Sequence, residues 1–396
     1  MSNPEYQRPL VAEVLAALRK DLPFLHIITG PRQVGKTTAA EQVSRAWGEE
    51  TVFAAADAPY PPGPEWIHSQ WERALAAGGG GRVLLVLDEI QKVRGWSEVV
   101  KLLWDKARRR RARIRVLLLG SSSLLIQKGM SESLAGRFLS YRCAHWGYPE
   151  MRRAFRWTLE DWIHFGGYPG AAVLKSEEPL WRRYIADSLI ETVLARDVVQ
   201  LATIAKPALL RHLFGMAVSH PAQIFSYNKM LGQLQDAGNT TTLAHYLRLL
   251  GTAFLLSGLE PYRPGRSRRA GSPKLVFWNN ALVSAFAGGD SRSARLDTAW
   301  WGRLVENAVG AHLLNGLDLL THRIHYWREG DDEVDFMVKT PRNLWAVEVK
   351  SGSLRRPGTG LAACMDRFPD ARPLIVGAGG MPLEDFFGTD PSRIFV

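Results

Sequence analysis

Continuous apolar runs alternate with amphipathic stretches over the first third of the chain. LHIITG (25–30), TVFAAAD (51–57), RVLLVLDE (82–89) and RVLLLGSSS (115–123) read as strands. Between them, 36–48, 65–77 and 95–111 repeat apolar residues at helical spacing. Strands that lack polar alternation are covered on both faces, and strands alternating with helices make a parallel sheet. From about Gly147 the pattern turns mostly helical: 202–218, 227–238 and 240–253, the last opening on a Thr cluster suited to capping. FLLSGLEPY, a basic loop over 263–273 and KLVFWN follow. Helix, turn, helix and then two strands around a basic loop is the order of a winged helix. A third pattern begins near Ala299: a helix, the short strands RIHYWRE, EVDFMVK and LWAVEVKSG, a helix, and the strand RPLIVG. These shifts predict domains at 1–146, 147–298 and 299–396.

A chain of 396 residues is long enough for two or three full-sized cores. It holds no apolar run of membrane-spanning length. MSNPEYQRPL has no apolar segment of the secretory kind, and the two cysteines, Cys143 and Cys364, make no metal or redox motif. A reducing cytoplasm is the expected location. Charge changes the picture more. Lys and Arg exceed Asp and Glu by 50 to 39, for a net +11. The excess is clustered: 106–115 contains Arg108, Arg109, Arg110 and Arg111, and a Pro/Gly/Ser-rich stretch carries Arg263, Arg266, Arg268, Arg269 and Lys274. Such clusters are often only solvated helix ends or loops. Two of them in a basic chain point to DNA as a partner, because a positive field concentrates phosphate.

GPRQVGKT (30–37) is a complete G-x-x-x-x-G-K-[ST] loop between an apolar strand and a helix. The backbone of Gly30, Pro31, Arg32, Gln33, Val34 and Gly35 wraps phosphate, with the N–H groups of all but Pro31, at a helix N-terminus that favours anions. Lys36 reaches the β- and γ-phosphates of ATP and Thr37 ligates Mg2+, while the neighbouring Thr38 has no assigned role. RVLLVLDE ends in Asp88-Glu89, where Asp88 holds the Mg2+ and Glu89 polarises the attacking water, unless the pair merely caps the next helix. Ser121 or Ser122, at the end of RVLLLGSSS, can sense the γ-phosphate or cap a helix.

GPRQVGKTT, LDEIQK, GSSSLL and SESLAGR together resemble the AAA-type ATPases of bacteria and archaea that carry a conserved C-terminal domain of unknown function. FGGYPG (165–170) and ETVLARDV (191–198) resemble that family's linking region, and LVENAV with EVDFMV and AVEVKSG its C-terminal domain. The resemblance implies an AAA+ core with its first sensor at Ser121 or Ser122. It also implies a homo-oligomeric ring, a hexamer by preference, and an adenine pocket lined by Tyr6 and Arg8. In such rings a neighbouring subunit's arginine stabilises charge on the transferring phosphoryl group. Arg137 is the first candidate and Arg196 the second. A structural Arg–carboxylate pair is the alternative for each.

In the last third, Glu306 lies on a helix, Asp335 on the second strand, and Glu348 and Lys350 on one face of the third. Carboxylates so placed can hold a divalent metal and a lysine can orient water. The arrangement resembles the PD-(D/E)xK nuclease fold. A domain can also keep such a fold only to hold DNA or its neighbours.

The expectation is an α/β chain: a P-loop AAA+ ATPase core, a helical winged-helix middle, and a restriction-endonuclease-like C-terminal α/β domain. It hydrolyses ATP and acts on DNA, with no membrane. Its rivals are a nucleotide-gated switch that binds a protein partner and an ATP-dependent nuclease.

Overall fold

A computed structural model gives the fold. It describes all residues except 1–5, 58–61, 121–132, 199–205, 235–237, 266–270, 288 and 353–358, and the side chains of 196 and 197. Two compact units result, residues 1–144 and 145–396.

In the first unit, strands β1 (Leu25–Thr29), β2 (Glu50–Ala55), β3 (Val83–Asp88), β4 (Ile114–Gly120) and β5 (Phe138–Arg142) form one sheet in the order β2-β3-β4-β1-β5. Every pairing is parallel. All residues of β3 and β4 are buried, which accounts for their unbroken apolar sequence. Helices α1 (Pro9–Arg19) and α2 (Lys36–Trp47) pack together. Helices α3 (Pro64–Gly78) and α4 (Trp96–Arg109) join a separate apolar cluster that includes Trp71, Trp96 and Trp104. These tryptophans are core. Glu98 in the first turn of α4 and Lys106, Arg108 and Arg109 in its last turn complement the helix dipole. Arg115 of the same basic run is buried, donates to the Leu18 carbonyl and pairs with Asp21. Part of the cluster therefore has a structural role.

The second unit is mainly helical up to an antiparallel hairpin of β6 (Leu256–Leu259) and β7 (Lys274–Phe277). Helices Pro207–Val218, Tyr227–Gln233 and Thr240–Thr252 precede the hairpin. Beyond helix Thr298–Gly316, strands β8 (Arg323–Glu329), β9 (Asp332–Lys339), β10 (Leu344–Lys350) and β11 (Ala371–Gly377) form a sheet in the order β11-β10-β9-β8. Helix Thr359–Arg367 lies between β10 and β11 in the chain, so the elements run in the order read from the sequence.

Buried amides fix β7 in place. Asn307 accepts from the Phe277 N–H (2.9 Å) and donates to the Phe277 carbonyl and to Asn280. Asn280 donates to the Ile163 and Leu304 carbonyls. The glycines of FGGYPG allow close approach here: a Cβ on Gly166 would lie 1.9 Å from Asn279 Oδ1, and one on Gly167 2.0 Å from the Trp146 carbonyl oxygen. Among the described residues no helix is long and apolar enough to cross a membrane. Cys143 and Cys364 are buried, and the described residues form no disulfide with either.

Candidate functional site

The phosphate loop joins β1 to α2 at the carboxyl end of the parallel sheet, where α/β proteins bind ligands. Its shape depends on glycine at two points. Gly30 passes so close to the adjacent β5 that a Cβ would lie 2.1 Å from the Cys143 carbonyl oxygen. Gly35, at φ 86°, turns the chain into α2. Gln33 holds a left-handed φ of 59° without being glycine, a conformation costing about 1–2 kcal/mol that the surroundings must impose.

Lys36 is buried, and its ammonium donates to the carbonyls of Gly30 (3.1 Å) and Pro31 (2.6 Å). Burial pulls this lysine below the ordinary range, against the opposing pull of Cys143, Glu89 and Asp88. Thr37 Oγ1 donates to Asp88 Oδ2 at 2.6 Å. The two residues that the sequence assigned to Mg2+ are therefore in direct contact, although 51 positions apart. A hydroxyl and a carboxylate are hard oxygen donors of the kind Mg2+ takes, so the pair fits that ion. Glu89 follows with a left-handed φ of 53°. Its N–H donates to Asp88 Oδ1 (2.8 Å), and its carboxylate accepts from Gln91 Nε2 (2.5 Å). Gln91 thus positions Glu89, a role the motif did not reveal.

Arg8 arrives from the segment before α1. It is buried, and Nη1 lies 3.2 Å from the Val34 carbonyl oxygen, 3.0 Å from Cys143 Sγ and 3.1 Å from the Ala144 carbonyl oxygen. The Tyr6 carbonyl accepts from Gln42 of α2 (3.0 Å). Of the two residues expected at the adenine pocket, Arg8 braces the phosphate loop directly and Tyr6 meets α2.

The remaining candidates of this unit are placed as follows. Arg137 makes a two-point ion pair with Asp105 of α4, Nε to Oδ1 at 3.0 Å and Nη2 to Oδ2 at 3.2 Å. This is the structural pair that the sequence left as its alternative. Arg108, Arg109, Arg110 and Arg111 are exposed at the end of α4. Ser121 and Ser122 lie outside the described residues.

In the second unit Arg263 is exposed, and Arg266, Arg268 and Arg269 lie outside the described residues. Arg196 falls on a π-helical segment, Val193–Val198, and its side chain is also outside them. Lys274 behaves unlike its basic neighbours. Its side chain is 0% exposed, and its ammonium lies 2.5 Å from Glu306 Oε1 and 3.5 Å from both Glu333 Oε1 and Asp335 Oδ1. Burial opposes its charge. Glu306, Asp335 and Glu333 outweigh that and hold Lys274 above the ordinary lysine range. Asp335 Oδ2 accepts from the Val349 N–H at 2.7 Å, and Glu348 Oε1 accepts from Lys350 at 2.5 Å. Burial, then Asp335, pushes both Glu306 and Glu348 up. The structure thus gathers Glu306 and Asp335 as expected, but around a lysine that the sequence grouped with the DNA-facing cations. The one local sign was that Lys274 opens a strand whose next residues are all apolar.

Three family models match in succession: an AAA domain over residues 23–151, a domain of unknown function (DUF8612) over 156–293, and a domain of unknown function (DUF4143) over 301–381. An uncharacterized protein of Mycobacterium tuberculosis is 28% identical over 371 residues, covering 91% of this chain and 78% of the relative. One of Haemophilus influenzae is 22% identical over 353 residues, with 83% of each chain covered. Among solved structures, a Walker-type ATPase of Pyrococcus abyssi aligns over 71% of this chain and 95% of its own, at 12% identity and a TM-score of 0.46. The chain therefore carries an AAA-type ATPase domain followed by a C-terminal domain of unknown function.

Proposed function

We propose that the protein is an ATP-driven motor that works on DNA as a ring of identical subunits. The Thr37–Asp88 contact beside the buried Lys36 carries the nucleotide half of this reading. Backbone N–H groups of Gly30 to Thr38, Pro31 excepted, cradle the phosphates, and Lys36 leaves its loop carbonyls for the β- and γ-oxygens. Thr37 and Asp88 would hold Mg2+, which when bound neutralises phosphate charge. Glu89, positioned by Gln91, draws a proton from the attacking water. Arg137 or Arg196 of a neighbouring subunit completes the site.

The DNA half is supported by the net charge of +11 and by exposed Arg108, Arg109, Arg110, Arg111 and Arg263. The helices and hairpin of the middle region match a winged helix in element order, and the C-terminal order matches a nuclease-like fold. The test is ATP turnover with and without single-stranded, duplex and four-way-junction DNA at two salt concentrations. Stimulation that fades as salt rises is expected. Turnover indifferent to every DNA, with no binding, would replace DNA by a protein partner and make the chain a nucleotide-gated switch.

A further inference from the structure

The nuclease resemblance places a divalent metal among Glu306, Asp335 and Glu348. The residues present do not fit one. A metal on these oxygens would sit within about 2.0–2.6 Å of each. Glu306 Oε1 is already 2.5 Å from the Lys274 ammonium, and Asp335 Oδ1 faces the same ammonium at 3.5 Å. Asp335 commits its other oxygen to the Val349 N–H, and Glu348 commits Oε1 to Lys350. Oε2 of Glu348 is buried and has no hydrogen-bond partner among the described residues. A dication there would face two ammonium groups at close range, in surroundings that screen charge poorly. Among the described residues no three His, Cys, Asp or Glu side chains are arranged to hold a metal.

The ammonium is itself built in. Lys274 is 0% exposed, against 23% for Glu306, 34% for Glu333 and 18% for Asp335, and it also lies over the Phe336 ring at 5.0 Å. A buried ammonium without carboxylates is strongly unfavourable, so its place on β7 depends on all three acids. Lys274 belongs to the 156–293 match and the acids to the 301–381 match. The segment that leads from β6 toward β7 also pairs with the C-terminal sheet, through Tyr262 N–H to the Tyr326 carbonyl at 2.6 Å. We infer that Lys274 is the resident cation of this carboxylate cluster, taking the place of a divalent metal, and that the cluster clamps the β6–β7 hairpin to the C-terminal sheet instead of cleaving phosphodiesters.

The inference is independent of ATP hydrolysis, and so is its test. Full-length protein carrying Asp88→Asn, which removes the nucleotide-site carboxylate, is titrated with Mn2+ alone and free ion is read by electron paramagnetic resonance. Bound Mn2+ should be the same with and without Asp335→Asn. One Mn2+ held by the Asp88→Asn chain and lost on Asp335→Asn would overturn the inference, as would Mn2+-dependent nicking of plasmid abolished by Asp335→Asn. Thermal melting tests the clamp. Lys274→Met should lower Tm by about 6 °C, or prevent folding, and adding Glu306→Gln and Asp335→Asn should restore part of the loss. A Tm for Lys274→Met equal to that of the parent would also overturn it.

Discussion

Each unit of this protein buries a lysine beside functional-looking carboxylates, and the two solve the problem differently. Lys36 rests on carbonyls five and six positions before it, and burial lowers its affinity for a proton. Lys274 rests on three carboxylates, two of them 59 and 61 positions away, and is held in its charged form. A lysine on neutral carbonyls is easily drawn to a stronger anion. One enclosed by carboxylates already has its counter-charge. The first is an arrangement for taking up phosphate, the second for holding structure.

Catalysis offers the largest effect with which to break this comparison. Lys36→Ala and Glu89→Gln should each lower ATP turnover by about 10²–10⁴-fold while the melting curve stays in place. Lys350→Ala should leave turnover unchanged. A normal rate for Glu89→Gln would put the water-activating carboxylate elsewhere. Arg137→Ala set against Asp105→Ala separates the two roles open to that arginine. If it acts across a subunit boundary, only Arg137→Ala slows turnover, by about 10³-fold. Equal, small effects from both variants would reduce it to the intrachain ion pair.

The same contrast explains how much was legible in the sequence. The phosphate loop is local: eight consecutive residues set its glycine turns, its helix N-terminus and the lysine's partners. Asp88 and Glu89 were legible because a fully buried strand delivers them to the same sheet edge. Gln91 was not, since its side-chain hydrogen bond to Glu89 belongs to no motif spacing. Arg8 was named only through the family resemblance, as an adenine-pocket residue, and its bonds to the Val34 and Ala144 carbonyls, 26 and 136 positions away, are encoded by no spacing. Lys274 was misread for a related reason. Composition places it in a basic loop, whereas the β6–β7 pairing and the Asn307 amide carry it inside, onto acids from a helix and a strand much later in the chain. Glu306 and Asp335 were found on their elements, but their partner could not be.

Stability is the next discriminator. Removing one partner of a buried charge cluster costs about 3–5 kcal/mol, and the partial exposure of the three acids puts Lys274→Met near about 3 kcal/mol. Lys36→Met removes an ammonium whose hydrogen-bond partners among the described residues are carbonyls and should cost about 1 kcal/mol or less. Urea denaturation of the two variants checks the difference. Equal losses would mean that both lysines are structural.

The smallest effect is a difference in acid response between the units. Burial holds His26 in the first unit, and His164 and His312 in the second, at about 4 instead of 6.5. A histidine so depressed is neutral when folded. The unfolded chain binds the extra proton between pH 6.5 and 4, and stability is lost as pH falls through that window, by at most about 1.4 kcal/mol per pH unit per histidine. The first unit should follow this simple course, and His26→Gln should flatten it. In the second unit Glu306 and Glu348 act with opposite sign. Their folded values are raised, so the stability they contribute is present at low pH and lost as pH rises above 4.5 toward those values. Two falling terms and two rising ones should leave the second unit flatter than its pair of histidines alone implies, and Glu306→Gln should steepen its acid loss. Hydrogen exchange read peptide by peptide, corrected for intrinsic rate and taken from pH 7 to 5, follows both units in the full chain. A Glu306→Gln profile no steeper than the parent would mean that the cluster takes up no proton and that Lys274 alone balances its charge.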